Sequence, residues 1–300
     1  MGSEAQITRG RSDFTSRGVR CAGDLYLPAG IQPPPVVMMA HGFGAERSFR
    51  LPAYAERFAQ EGLATYLFDY RSFGDSEGEP RNYASPRRHL RDWQAAVAHV
   101  RSLPEVDGSR LALWGTSFSG GHAIVTAAHD PDVMALVVQA PFVDSLSTMA
   151  KLGGRWVLRA AGHGLQDLLR AATGRSPHYV KIYGRPDEFA VLNTPDSWSG
   201  YQSILPEGSS WENRCPARVL LAAFNYEPID EAARIRCPAM IMYGTHDSII
   251  SAETVERMAA RIRGSRTVEF PCGHFEFYTG PIFETAAGMQ AEFLAVQLNV

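Results

Sequence analysis

Three residues of this 300-residue chain have the types needed for nucleophilic acyl chemistry, and each lies just past a short apolar run: Ser117, Asp247 and His274. Ser117 sits in Gly115-Thr116-Ser117-Phe118-Ser119, close to the G-x-S-x-G pattern that puts a serine at the tip of a sharp strand-to-helix turn. Small neighbours two residues either side let strand and helix approach. Gly115 meets that need; Ser119 replaces the usual second glycine and is still small, with Gly120 and Gly121 directly after. A serine hydroxyl is a weak nucleophile at neutral pH, so an imidazole must take its proton. The imidazole in turn needs a carboxylate to fix its tautomer and stabilise its cation. A tetrahedral oxyanion needs preorganised N–H donors. The Phe118 amide, at the start of the helix after Ser117, is one candidate donor. The Phe43 amide, between Gly42 and Gly44, is the other.

A glycine-rich turn alone is a weak signal, since it also suits a plain helix start or an anion site. Its weight comes from the elements around it. Residues 36–40, 63–68, 111–114, 135–140, 238–243 and 267–270 read as strands, most of them continuous apolar runs as expected of strands buried on both faces. Helical spacing marks 51–62, 86–103, 122–128, 252–263 and 281–298. Strand and helix alternate, which predicts an α/β fold with a mostly parallel central sheet and helices on both faces. Ahead of it, residues 8–27 read as two antiparallel strands about an Arg17-Gly18 turn, followed by a proline-rich loop at 28–35. In such a sheet, ligands collect at the carboxyl ends of the strands. Ser117, Asp247 and His274 follow three different strands there, in the chain order Ser, Asp, His.

The alternation lapses between 143 and 228, where glycines, two helical pieces (155–161 and 166–172) and a Ser-, Pro- and Trp-rich stretch at 193–200 appear. This predicts a mostly helical insertion at 143–228 over the sheet's edge, between a first core part, 1–142, and a second, 229–300. Phe142, Trp156, Tyr183, Trp198 and Trp211 are its candidate pocket residues, although the same aromatics also suit the insertion's own core.

With HGFG at 41–44, DYRSFGDSEG at 69–78, GTSFSGG at 115–121, YGTHDSII at 243–250 and CGHFEFY at 272–278 in this order, the chain resembles α/β-hydrolases over all but about 143–228. Within them it is most similar to bacterial serine hydrolases of the X-Pro-peptidase-like and dienelactone-hydrolase-like branch. Dienelactone hydrolases carry Cys, and haloalkane dehalogenases and epoxide hydrolases carry Asp, where this chain has Ser117. The resemblance implies a triad of Ser117, His274 and Asp247, with Asp144 as a competing acid because some members place it after the strand at 135–140. It implies that His41 is structural, that Arg71 and Asp75 support the oxyanion loop, and that His246 only shapes the acid's loop.

Composition narrows the rest. A net charge of −3 gives no hint of nucleic acid, and no basic run points to an anionic membrane. The first six residues lack an apolar signal core, and no apolar stretch approaches the length of a membrane span. Cys21, Cys215, Cys237 and Cys272 are far apart and read as free thiols in a reducing cytoplasm. No metal-ligand spacing, P-loop or dinucleotide fingerprint appears. The expectation is a cytoplasmic, cofactor-free serine hydrolase of small-molecule esters, lactones or thioesters. An acyl-transferring or cyclising enzyme on the same triad is the alternative, and a non-catalytic binding protein on the same scaffold a remoter one. Membrane and nucleic acid are not expected as partners; a homodimer stays open.

Overall fold

The computed structural model describes residues 7–30 and 33–300, so the reading of 1–6 and part of the proline-rich loop lie outside it. Four short strands open the chain: β1 (Ile7–Arg11), β2 (Phe14–Ser16), β3 (Val19–Cys21) and β4 (Gly23–Pro28). The turn expected at Arg17-Gly18 is present, with φ of 51° and 78°, as two-residue hairpins favour. The expected pair of strands is nevertheless split into two ladders, β2 on β3 and β1 on β4. Asp13 sits at the break, where its carboxylate accepts from Arg11, Arg20 and the Gly23 amide instead of leaving the ladder regular.

The alternation then unfolds as β5 (Pro35–Ala40), α1 (Leu51–Ala59), β6 (Ala64–Phe68), α2 (Pro86–Ser102), β7 (Asp107–Thr116), α3 (Phe118–His129) and β8 (Ala135–Gln139). β7 starts earlier than its apolar run, because Asp107 pairs with Pro35 across a register shift. Next come α4 (Ser145–Leu152), α5 (Gly154–Ala172), β9 (Tyr179–Tyr183), β10 (Ala190–Leu192), α6 (Ser197–Ile204), β11 (Cys215–Pro216) and α7 (Val219–Ala222). The two expected helical pieces are one helix, α5. Its Gly164 is a point of close approach, since a Cβ there would meet Leu221 at 2.6 Å. The segment also holds a small sheet, β10-β9-β11, that its sequence did not announce. The chain closes with β12 (Ala239–Gly244), α8 (Ala252–Ala259), β13 (Arg266–Phe270) and α9 (Gly280–Gln297).

The central sheet has eight strands in the order β1-β4-β6-β5-β7-β8-β12-β13. From β6 to β13 every pairing is parallel, and β4 is antiparallel to both β1 and β6. Strands β5, β6, β8 and β12 are buried from end to end, which is why they read as unbroken apolar runs. Each such aliphatic side chain taken out of water contributes about 1.5–3 kcal/mol. Helices α1 and α9 pack together, as do α2 and α3. Right-handed crossovers put these pairs on opposite faces, because β5 to β6 and β7 to β8 advance in opposite directions. The winding reverses between β5 and β7, and it is beyond the carboxyl ends of these neighbours that Phe43 and Ser117 lie.

Candidate active site

The chain turns from β7 into α3 through Ser117, whose φ of 53° and ψ of −124° lie outside the regular regions. Strain of this kind persists only where the surroundings over-determine it. Here the Ser117 amide donates to Gln139 O at 2.9 Å, and its carbonyl accepts from Phe142 N at 2.8 Å. A Cβ on Gly115 would lie 2.5 Å from Ser119 O, so only glycine lets β7 and α3 cross. Ser119 has a purpose that a second glycine would not serve: its buried hydroxyl donates to Ala40 O at 2.6 Å and accepts from Thr116 N at 3.0 Å, tying the turn to the end of β5.

His274, in the loop after β13, faces Ser117 with Nε2 3.0 Å from Oγ. Its Nδ1 lies 2.7 Å from Asp247 Oδ2, in the loop after β12. The second Asp247 oxygen accepts from the Ile249 and Ile250 amides, each at 2.8 Å. With the proton on Nδ1 held by Asp247, Nε2 is left as an acceptor for the serine hydroxyl. Burial on its own would lower the His274 pKa, but the Asp247 charge and hydrogen bond outweigh it, and the pKa is raised above its ordinary value. Asp144, the competing carboxylate, is spent elsewhere: it caps α4, accepting from Ser147 N at 2.5 Å.

Phe43 and Phe118 line the same hollow as Ser117, their rings edge to face at 5.5 Å. The Phe118 amide opens α3, where first-turn N–H groups have no partner within the helix. The Phe43 loop curls through Gly44 at φ 72°. It is fixed from behind by Arg47, which the sequence reading passed over. This buried guanidinium meets Asp24 at 2.8 Å, Asp69, and Asp75 at 2.6 Å, while its own amide donates to Asp69 at 2.7 Å. Asp75 thus supports the loop through Arg47. Arg71 does not reach it; Arg71 pairs with Asp92 on α2. His41 is buried beside Gly42 O, and burial pushes its pKa down to about 4, so it stays a neutral hydrogen-bonding group. His246 is exposed. Cys272 is buried, with its thiol pushed up to about 12, and reads as packing.

Two hollows meet at Ser117. The larger encloses about 710 Å³ of non-atom space, part of it open to solvent, and Phe142, Met149, Leu152, Trp156, Leu220 and Ile250 are among its walls. The smaller, about 390 Å³, is bounded by His41, Phe49, Tyr201, His274, Phe275 and Tyr278. Phe43, Ser117 and Leu192 border both, and neither lining includes a carboxylate. Of the five aromatics expected at a pocket, Phe142 and Trp156 line the larger hollow. Tyr183, Trp198 and Trp211 line neither. Tyr183 stacks on Tyr201 at 4.6 Å and neighbours the other two, making an aromatic cluster. That cluster seats segment 143–228 on the Phe43 loop, with Trp211 Nε1 donating to Gly44 O and Tyr201 to Phe43 O, both at 2.8 Å. A second unforeseen tie is Lys151 of α4, whose Nζ donates to Asp247 O at 2.6 Å and Ile250 O at 2.8 Å. Among the described residues, no group of three or more His, Cys, Asp or Glu is placed to hold a metal ion, and no helix is long and apolar enough to cross a membrane.

Comparison with known proteins agrees with this architecture. Residues 31–188 match the family model described as serine aminopeptidase, S33. The chain is 38% identical to the quorum-quenching protein AidA of Acinetobacter baumannii, over 94% of this chain and 92% of that protein. It is 26% identical to the polyketide transferase af380 of Aspergillus fumigatus, over 95% of this chain and 97% of that one. Among solved structures, DcsB in complex with its substrate analogue superposes with a TM-score of 0.84 at 21% identity, covering 98% of this chain and all of that one, which bears on the fold alone.

Proposed function

The chain belongs to the serine aminopeptidase S33 family of the α/β-hydrolase superfamily, and from that premise we propose that it cleaves small to medium carboxylic esters, lactones or thioesters through Ser117, His274 and Asp247. Ser117 Oγ attacks the carbonyl carbon while His274 Nε2 takes its proton. The Phe43 and Phe118 amides hold the oxyanion. The imidazolium, steadied by Asp247, hands the proton to the leaving group, and the acyl group stays on Ser117 as an ester. Water then attacks with His274 again as base, which frees the acid and restores the serine. No cofactor enters this scheme. Residues 143–228 act as the cap, over a core made of 1–142 and 229–300.

The observation that carries the substrate class is that the serine opens onto an apolar chamber whose walls include no carboxylate. An aminopeptidase must hold a substrate ammonium, and a cation in such a site without a counter-charge is costly. An apolar acyl group, in contrast, matches the larger hollow. The leaving group goes to the smaller one, because His274, which must protonate it, borders only that side. A series of p-nitrophenyl esters tests this. The kcat/KM should rise with acyl length until the chamber is full, and Leu220→Trp should move the optimum to shorter chains. Turnover of aminoacyl amides but not of esters overturns the reading.

The same geometry favours a second reading, in which an acceptor hydroxyl or amine in the smaller hollow replaces water. Its walls are largely apolar, and one relative is named a polyketide transferase. Product analysis with and without added nucleophile separates transfer from hydrolysis.

A further inference from the structure

The helices that wall the larger hollow on one side carry leucines on the other. On α5, Leu158, Leu165, Leu168 and Leu169 are 77%, 56%, 44% and 68% exposed, and Leu146 of α4 is 71% exposed. At 3.6 residues per turn, Leu158, Leu165 and Leu169 fall within about 40° of one another, so they form one stripe. Arg155, Arg159 and Arg170 follow on a single flank, about 60–120° round the helix. Arg175 lies just after them.

These cations have no carboxylates on their own helices to answer them. Arg159 lies over the Phe189 ring at 4.8 Å and Arg170 donates to Ser176. The one carboxylate within α4 and α5, Asp167, is buried and taken by Arg218. An exposed apolar stripe flanked by arginines is the pattern of a helix lying in a lipid–water interface.

We propose that this outer face of α4 and α5 docks on an anionic lipid bilayer. Charge decides against a second copy of the chain as the occupant. Antiparallel two-fold pairing would set the same arginines along one edge of the contact, with no exposed carboxylate from either helix between them. Anionic headgroups supply the missing counter-charge, and each basic residue near such a surface gains from it. The sequence conceals this surface because its cations are spread over 155–175 and meet only through the helix. The inference does not depend on the triad.

Sedimentation of the full chain with vesicles tests it. Vesicles of phosphatidylcholine with about 30 mol % phosphatidylglycerol should retain about tenfold more protein than phosphatidylcholine alone, and high salt should release it. The triple variant Leu158→Ser, Leu165→Ser, Leu169→Ser should lose about tenfold in retention while hydrolysing a soluble short-chain ester within about twofold of wild type. Arg155→Gln with Arg175→Gln should weaken binding to the anionic vesicles only. Equal retention on both vesicles, or retention unchanged by the leucine variant, overturns the proposal. So does a solution dimer that the leucine variant converts to monomer, which would assign the face to a second copy.

Discussion

Lys151, on the first helix after the sheet is interrupted, donates through Nζ to the carbonyl oxygen of Asp247 at 2.6 Å. The same ammonium reaches Ile250 O, and the Ile249 and Ile250 amides hold the Asp247 carboxylate. One side chain of segment 143–228 therefore closes the loop that carries Asp247. Its positive charge opposes protonation of His274, which the charges of Asp247 and Asp196 favour. Lys151→Met should lower kcat by about tenfold, the scale of a lost charge-assisted hydrogen bond. It should also move the acidic limb of the rate profile to higher pH, because a cation that opposes protonation is gone. Lys151→Arg should restore most of both. A pH–rate profile of the three proteins checks this; a rate loss with an unmoved limb would mean that Lys151 only packs.

The two candidate acids part cleanly under substitution. Asp247→Asn should cost about 10⁴ in kcat, since the imidazole loses the partner that fixes its tautomer. Asp144→Ala should cost about 1 kcal/mol of stability through the lost helix cap, with little change in rate. The sign of the pH effect follows from His274. Its pKa is raised, and the base must be neutral to act, so activity is present above that raised value and is lost as pH falls through it. The stabilising effect of the imidazolium–Asp247 pair runs the other way: it is full below the unfolded value near 6.5 and is lost as pH rises through the raised one. The acidic limb of kcat/KM should therefore lie above 6.5 in wild type and in Asp144→Ala, and move down in Asp247→Asn.

Arg47 should matter far more than the exposed end of its network. Arg47→Met strands the buried carboxylate of Asp69 and leaves Asp24 with only the more exposed Arg9, a loss of about 3–5 kcal/mol. Asp75, 63% exposed at its side chain, gives an ion pair worth at most about 1 kcal/mol. Denaturant unfolding of Arg47→Met and Asp75→Ala checks the contrast, and equal losses would contradict it.

What could be read before the fold was in view follows from chain periodicity. The strands β5, β6, β8 and β12 and the apolar half of β7 are buried on both faces, so their apolar runs are unambiguous. Ser117 directly follows a strand and Asp247 and His274 lie in the short loops after theirs, so knowing the strands locates them. Lys151 and Arg47 are different. Their meaning depends on which loops come within reach of a long side chain, and no local pattern records that. The ladder of β9, β10 and β11 escaped notice because two of its strands have only three and two residues. Tyr183, Trp198 and Trp211 are aromatics of the kind that lines a pocket, yet mutual stacking places them beside it.

The most direct test of the central assignment is intact mass after exposure to a fluorophosphonate, for wild type, Ser117→Ala and Asp247→Asn. A single adduct on wild type, none on Ser117→Ala, and labelling slowed by orders of magnitude in Asp247→Asn is the result expected of a serine activated by His274 and Asp247. Folded wild type that takes no adduct, or Ser117→Ala labelled as fast as wild type, would contradict it.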